Sequence, residues 1–137
     1  TLIKYLDELE VNKKLKIKSC ESLFNKDSKY LHTTSLVKYP VFDKGKNYSG
    51  ANILKKKILM EFIEKNFLKE LKTLKKAIII PLGNTVSSTI EYLNNKYDLK
   101  LRCFLKGFPH PSGANARKNI QFKENRSLMM NLLKSNK

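Results

Sequence analysis

A three-layer α/β/α sandwich, with a short central parallel sheet and helices on both its faces, is predicted by three features of the sequence. The run Ala77-Ile78-Ile79-Ile80-Pro81-Leu82-Gly83 is apolar throughout and closes on glycine. Strands covered by helices on both faces read this way. From Asn52 to Lys76, Leu59, Ile63, Phe67, Leu71 and Leu74 recur at helical spacing and form one apolar face. Along the whole chain the patterns alternate as helix, strand, helix, strand, helix, strand, helix, an order that favours parallel strands joined by crossover helices. With 137 residues there is room for a single domain, 1–137, able to bury a core without disulfides or metal.

The elements follow in order. Leu2, Tyr5, Leu6 and Leu9 make residues 2–10 a short amphipathic helix, with Asp7 and Glu10 on its solvated side. A lysine-rich link, Val11 to Lys18, leads to a short helical turn at Cys20 to Phe24. Residues 30–38 are β-branched and apolar and stop before Pro40, which predicts a strand. Asp43 to Gly50 is a polar loop with two glycines. In the helix over 52–76, Lys65, Lys69, Lys72 and Lys76 lie opposite the apolar face and read as solvated. The apolar run 77–83 is the second strand. Asn84 or Thr85 can cap the next helix, carried by Val86, Ile90 and Leu93 to about Asn95. The third strand spans 99–105, and a last helix spans about 118–134 with Leu128, Met129, Leu132 and Leu133.

Lys and Arg number 28 against 12 Asp and Glu, a formal charge of +16. Such a field attracts polyanions, so nucleic acid heads the expected partners. Arg102, Arg117 and Arg126 are the only arginines, and a lysine-, asparagine- and isoleucine-rich composition is also what an AT-rich genome produces. Cys20 and Cys103 are too few for a four-cysteine zinc or iron–sulfur site and suit a reduced, intracellular location; with nucleic acid as partner, a cytoplasmic, nucleoid-associated place is expected, and no metal and no cofactor. No run approaches the ~20 apolar residues that span a bilayer, so no membrane partner is expected. Oligomeric state is left open. Thr1-Leu2-Ile3-Lys4 enters a helical pattern at once without an initiator methionine, so an upstream portion is expected.

In α/β sheets of this kind ligands bind beyond the carboxyl ends of the strands, here Ser35 to Pro40, Pro81 to Asn84 and Gly107 to Arg117. The last of these carries the chemistry. In Gly107-Phe108-Pro109-His110-Pro111-Ser112-Gly113-Ala114-Asn115-Ala116-Arg117, two prolines fix the backbone on either side of His110. Ser112, Gly113 and Ala114 can present backbone N–H groups, and the start of the following helix adds a partial positive charge. Arg117 and Lys118 strengthen that field, so the loop suits a phosphate. A neutral histidine donor can stabilise charge developing on an oxygen. The other reading of the segment is a proline-stiffened turn with a surface histidine.

Pro109-His110-Pro111-Ser112-Gly113-Ala114-Asn115 resembles the second signature motif of the uracil-DNA glycosylase superfamily, a His-Pro-Ser or Asn-Pro-Ser-Gly loop after the last sheet strand. Thr34-Ser35-Leu36-Val37-Lys38 resembles the Thr-Asn-Val-Val-Lys strand end of several branches, and Pro81-Leu82-Gly83 their next strand-to-helix turn. The similarity covers nearly the whole chain, but only the His-Pro-Ser-Gly loop is specific. The resemblance implies an enzyme that flips a damaged base out of DNA and hydrolyses its glycosidic bond. His110 would be the catalytic donor to the leaving base, and Ser35 and Gly83 would line the base pocket. Ser112, Gly113, Ala114, Asn115, Arg117 and Lys118 would contact DNA.

Two departures stand beside the resemblance. The family's first motif, which positions the attacking water, has no counterpart within residues 1–30. It is expected either upstream or not at all, and in the latter case the protein binds DNA or a partner without cutting. Ser35 falls where several branches carry the asparagine that reads the base edge. A serine offers one hydroxyl in place of an amide fork, which leaves the identity of the base open. His32 reads as a packed or hydrogen-bonded residue rather than a ligand.

Overall fold

The computed structural model describes residues 1–135. Its helices are α1 (Leu2–Glu8), α2 (Val11–Leu15), α3 (Lys57–Lys65), α4 (Phe67–Thr73), α5 (Asn84–Tyr97) and α6 (Lys118–Ser135). Its strands are β1 (Phe42–Asp43), β2 (Lys46–Asn47), β3 (Ile78–Ile79) and β4 (Cys103–Phe104). The fold is therefore mixed α/β. β3 and β4 pair in parallel, Ile78 with Cys103 and Ile79 with Phe104, and α5 forms the crossover between them. Contact continues beyond the ladder: the Leu105 amide donates to Ile79 O at 2.9 Å and the Gly83 amide to Phe108 O at 3.2 Å.

Side chains alternate across these two strands and divide the core in two. Ile78, Ile80, Cys103 and Leu105 join Tyr5, Leu6, Leu9, Phe122, Met129 and Leu133, from α1 and α6. Ile79 and Phe104 join Met60, Ile63, Phe67, Leu71, Ile90 and Leu93, from α3, α4 and α5. The first half is centred on rings: Tyr5 stacks on Phe122 at 4.1 Å between centroids, and Phe108 meets both edge-on at 6.0 and 6.4 Å.

Several sequence expectations are corrected. The strand expected over 30–38 is absent: a 3-10 turn at Ser28–Tyr30 runs through an extended Leu31 into a stretch that pairs with no strand among the described residues. Its polar side chains are instead drawn to Glu70 of α4. The helix expected over 52–76 is divided into a 3-10 turn at Ile53–Lys55, α3 and α4. The break falls at Asn66, whose side-chain amide donates to Phe62 O at 3.0 Å alongside its own backbone N–H. Asparagine competes with the helical ladder in this way. The apolar face survives the break, with Ile63, Phe67 and Leu71 buried, and the four opposing lysines are exposed as expected.

The lysine-rich link contains α2, set off by left-handed backbone at Glu10 and Lys16. The polar loop contains the β1–β2 hairpin, turned by Lys44 and Gly45, both at positive φ, the pairing that a tight two-residue hairpin turn demands. α5 starts at Asn84 with Gly83 at its cap, and neither Asn84 nor Thr85 caps it. α6 buries Phe122, Met129 and Leu133, one stripe at spacings of seven and four, and leaves Leu128 exposed. Asp7 is not a solvated helix residue: it accepts from Ser19 Oγ and from the Cys20 amide, both at 2.7 Å, tying α1 to the turn at Cys20–Phe24. Burial works against its charge, yet these bonds outweigh burial and hold its carboxyl below the ordinary value. Glu10 is exposed and pairs with Lys13 at 2.7 Å.

Candidate functional site

The parallel strands deliver two turns to one place. After β3 the chain passes Ile80-Pro81-Leu82 to Gly83, where φ is +101 and ψ is 168. That conformation is reserved almost entirely for glycine. After β4 it passes the buried Phe108 and Pro109 to His110, which is exposed. A Cβ on Gly83 would stand 3.2 Å from His110 Cβ, so the two turns touch. Replacing Gly83 by alanine is therefore expected to cost about 1–3 kcal/mol of stability and to displace the His110 ring. Thermal unfolding and the imidazole NMR resonances check the two effects separately.

His110 is held from within its own loop. The Ser112 amide donates to Nδ1 at 3.2 Å, so the neutral ring carries its proton on Nε2, which has no protein partner among the described residues. Asn115 ties the loop together: its side-chain amide donates to His110 O at 3.0 Å and to Gln121 Oε1 at 2.9 Å. Its Oδ1 accepts from the Arg117 amide at 3.2 Å. Lys118 Nζ closes the loop on Ser112 O at 3.2 Å. The polar atoms of Asn115 are thus engaged inside the loop, where they position His110. The Ser112 hydroxyl, the amides of Gly113 and Ala114, and the Arg117 guanidinium have no protein partner among the described residues. They lie just ahead of α6, whose first turn contains no acidic residue.

Ser35, Gly83 and His110 line one cavity of about 1120 Å³. The three strand-end segments singled out in the sequence therefore converge, although the first is not a strand. A second, smaller space of about 390 Å³ shares Gly83 and His110 and is walled by the amide side chains of Asn84, Asn115, Gln121 and Asn125. Gln121 and Asn125 escaped the sequence reading, since isolated amides on helices carry no spacing signal; Asn84 belongs to the Pro81-to-Asn84 strand end that the sequence marks. No aspartate or glutamate lines either space among the described residues.

Glu70 also escaped notice, though it is the one acid in the lysine-rich stretch 65–76. It binds His32 Nε2 at 2.6 Å, Thr34 Oγ1 at 3.0 Å and Lys38 Nζ at 3.2 Å, pinning residues 32–38 to α4. His32 is thus hydrogen-bonded, as expected. The His32 bond, and after it Lys38 and Thr34, hold the Glu70 carboxyl below its ordinary 4.5 against the opposing effect of burial. Its folded value is the lower one, so its stabilisation is complete above the unfolded value and fades as pH falls below about 4.5 through the folded value. Acid titration followed through the Thr34 resonance should show this release, and Glu70→Gln should abolish it. The two thiols offer no nucleophile: burial and Asp7 push Cys20 up to about 12, and burial raises Cys103.

Fold and loop together define a mixed α/β protein with a backbone-anchored histidine beyond the carboxyl ends of two parallel strands. Its similarity runs to the uncharacterized protein YoxB of Bacillus subtilis (strain 168), 36% identical over 137 residues. The match takes in 98% of this chain and 54% of YoxB, so the chain spans about half the length of the curated relative it matches. No family model and no solved structure matches the chain. No helix among the described residues is long and apolar enough to cross a membrane.

Proposed function

We propose that this chain forms the base-excising face of a DNA glycosylase of the uracil-DNA glycosylase type, built as a three-layer sandwich around β3 and β4. The observation that carries the reading is His110: bracketed by prolines, anchored at Nδ1 by the Ser112 amide, and packed on Gly83 at the mouth of a cavity shared with Ser35. A flipped base entering there meets Nε2–H as a fixed donor. As the C1′–N bond breaks, its electron pair passes to the base, and negative charge gathers on the carbonyl oxygen that Nε2–H contacts. Such a donor stabilises the transition state more than the bound base. Water supplies the oxygen that bonds to C1′; one of its protons ends on the departed base and the other stays on the new C1′ hydroxyl.

The unpartnered Ser112 hydroxyl and the Gly113 and Ala114 amides suit a DNA phosphate, with the amino end of α6 and Arg117 adding positive potential. The charge of +16 supplies sequence-independent affinity for the backbone. Arg117→Ala is expected to weaken binding to all duplexes alike and to reduce the slope of log affinity against log salt by about one. Anisotropy titrations at several salt concentrations test this; an unchanged slope would remove Arg117 from the interface.

A second reading is favoured by one observation: no carboxylate lines the cavity among the described residues. A protein of this shape can hold DNA or a partner without activating water. Binding without base release would distinguish it.

A further inference from the structure

The 1120 Å³ cavity is flanked by two backbone edges. On one side, consecutive residues 31–37 line it; on the other, residues 76–80 do. A strand that turned its face to a space would contribute alternate residues, whereas an unbroken run means that its edge is presented. The hydrogen bonds agree. Ile79 O accepts from Leu105 on the β4 side, so Ile78 and Ile80 direct their backbone groups the other way, into the cavity. β3 pairs only with β4, and the backbone of residues 32–36 bonds to no other segment among the described residues. Ile78 and Ile80 are half-buried, and unpaired backbone there is costly.

We propose that this cavity is a strand slot: it takes one extended apolar strand, supplied by the remainder of a longer polypeptide, which pairs on one side with β3 and on the other with residues 31–37. The size fits. A six-residue strand about 20 Å long, with ~4.8 Å between neighbours and ~10 Å between layers, occupies roughly 1,000 Å³. The chemistry fits too, because Leu31, Leu36, Ile78 and Ile80 give the slot apolar walls. A second copy of the chain is a poorer occupant, since symmetric pairing satisfies one edge per molecule while the slot offers two. YoxB, of which the match covers 54%, has chain to spare for such a strand. Filling the slot completes the sheet and leaves its open end at Ser35, Gly83 and His110. The proposal does not depend on the glycosylase reading.

The test is hydrogen–deuterium exchange on this chain and on whole YoxB, with rates normalised to the Leu105 amide, which is paired without the strand. In this chain, alternate amides within 32–36 and those of Ile78 and Ile80 should exchange rapidly. At the aligned positions of YoxB they should exchange roughly 100-fold more slowly or beyond, as ladder amides do. Equal, rapid exchange in both proteins overturns the proposal. So does slow exchange in this chain alone, whether as a monomer or, by light scattering, as a dimer whose second copy fills the slot.

Discussion

Replacement of His110 by alanine is expected to lower the rate of base release by roughly 10²–10³-fold, the usual effect of removing one preorganised donor to a developing oxyanion. DNA affinity should stay within about twofold, because the contact strengthens only as the base departs. The two quantities are read separately, by single-turnover kinetics under saturating protein and by equilibrium binding. The separation follows from the geometry: the Ser112 amide holds the ring at Nδ1, and the groups proposed to meet a phosphate, on Ser112, Gly113 and Ala114, belong to the backbone and to a neighbouring side chain. Equal loss of rate and affinity would mean that His110 holds the loop rather than the leaving base.

Phe108→Ala should be the most destabilising single change near the site, costing about 3–5 kcal/mol from a total that is typically ~5–15. Phe108 is 1% exposed and meets the Tyr5–Phe122 stack edge-on, so it joins β4 to α1 and α6 at once. Its carbonyl also receives the Gly83 amide. Losing the ring therefore loosens the packing beneath both turns of the site. Urea unfolding should show a lower midpoint with an unchanged slope. A cost below about 1 kcal/mol would contradict the ring-centred core.

The helices were the legible part of the fold. Apolar spacing marked α5 and α6 to within a few residues, and the sequence-local sources of order, such as the Pro-flanked His110 loop, were visible in composition. The parallel pair was recognisable within Ala77 to Gly83 and Leu99 to Leu105, because an apolar run with a helix between two of them has few other solutions. Its strands shrink to Ile78–Ile79 and Cys103–Phe104, with Lys100 at positive φ. What stayed hidden depended on partners distant in sequence. Residues 30–38 have strand composition, but a strand needs a neighbour, and they pair with none among the described residues. Asn66 looked like any polar residue on a helix until its amide reached Phe62 O. Asp7 looked solvated because Ser19 and the Cys20 amide approach it only after the chain turns.

The site divides in the same way. His110, Gly83 and Ser35 were legible as residue types at strand ends, and all three line one cavity. The amides of Gln121 and Asn125, and the hub at Glu70, were not, since each acquires its role through tertiary contact. Asn115, expected at the DNA, is engaged inside the loop, binding His110 O, Gln121 and the Arg117 amide.

The central claim is most directly tested by incubating the full gene product with labelled duplexes that each carry one uracil, hypoxanthine or xanthine, then cleaving abasic sites with alkali. The account predicts a strand break at the damaged position of at least one duplex, and its disappearance with His110→Ala. Intact strands for all three, from protein that still binds them in a salt-sensitive manner, would contradict base excision and leave the non-cutting DNA-binding reading in its place.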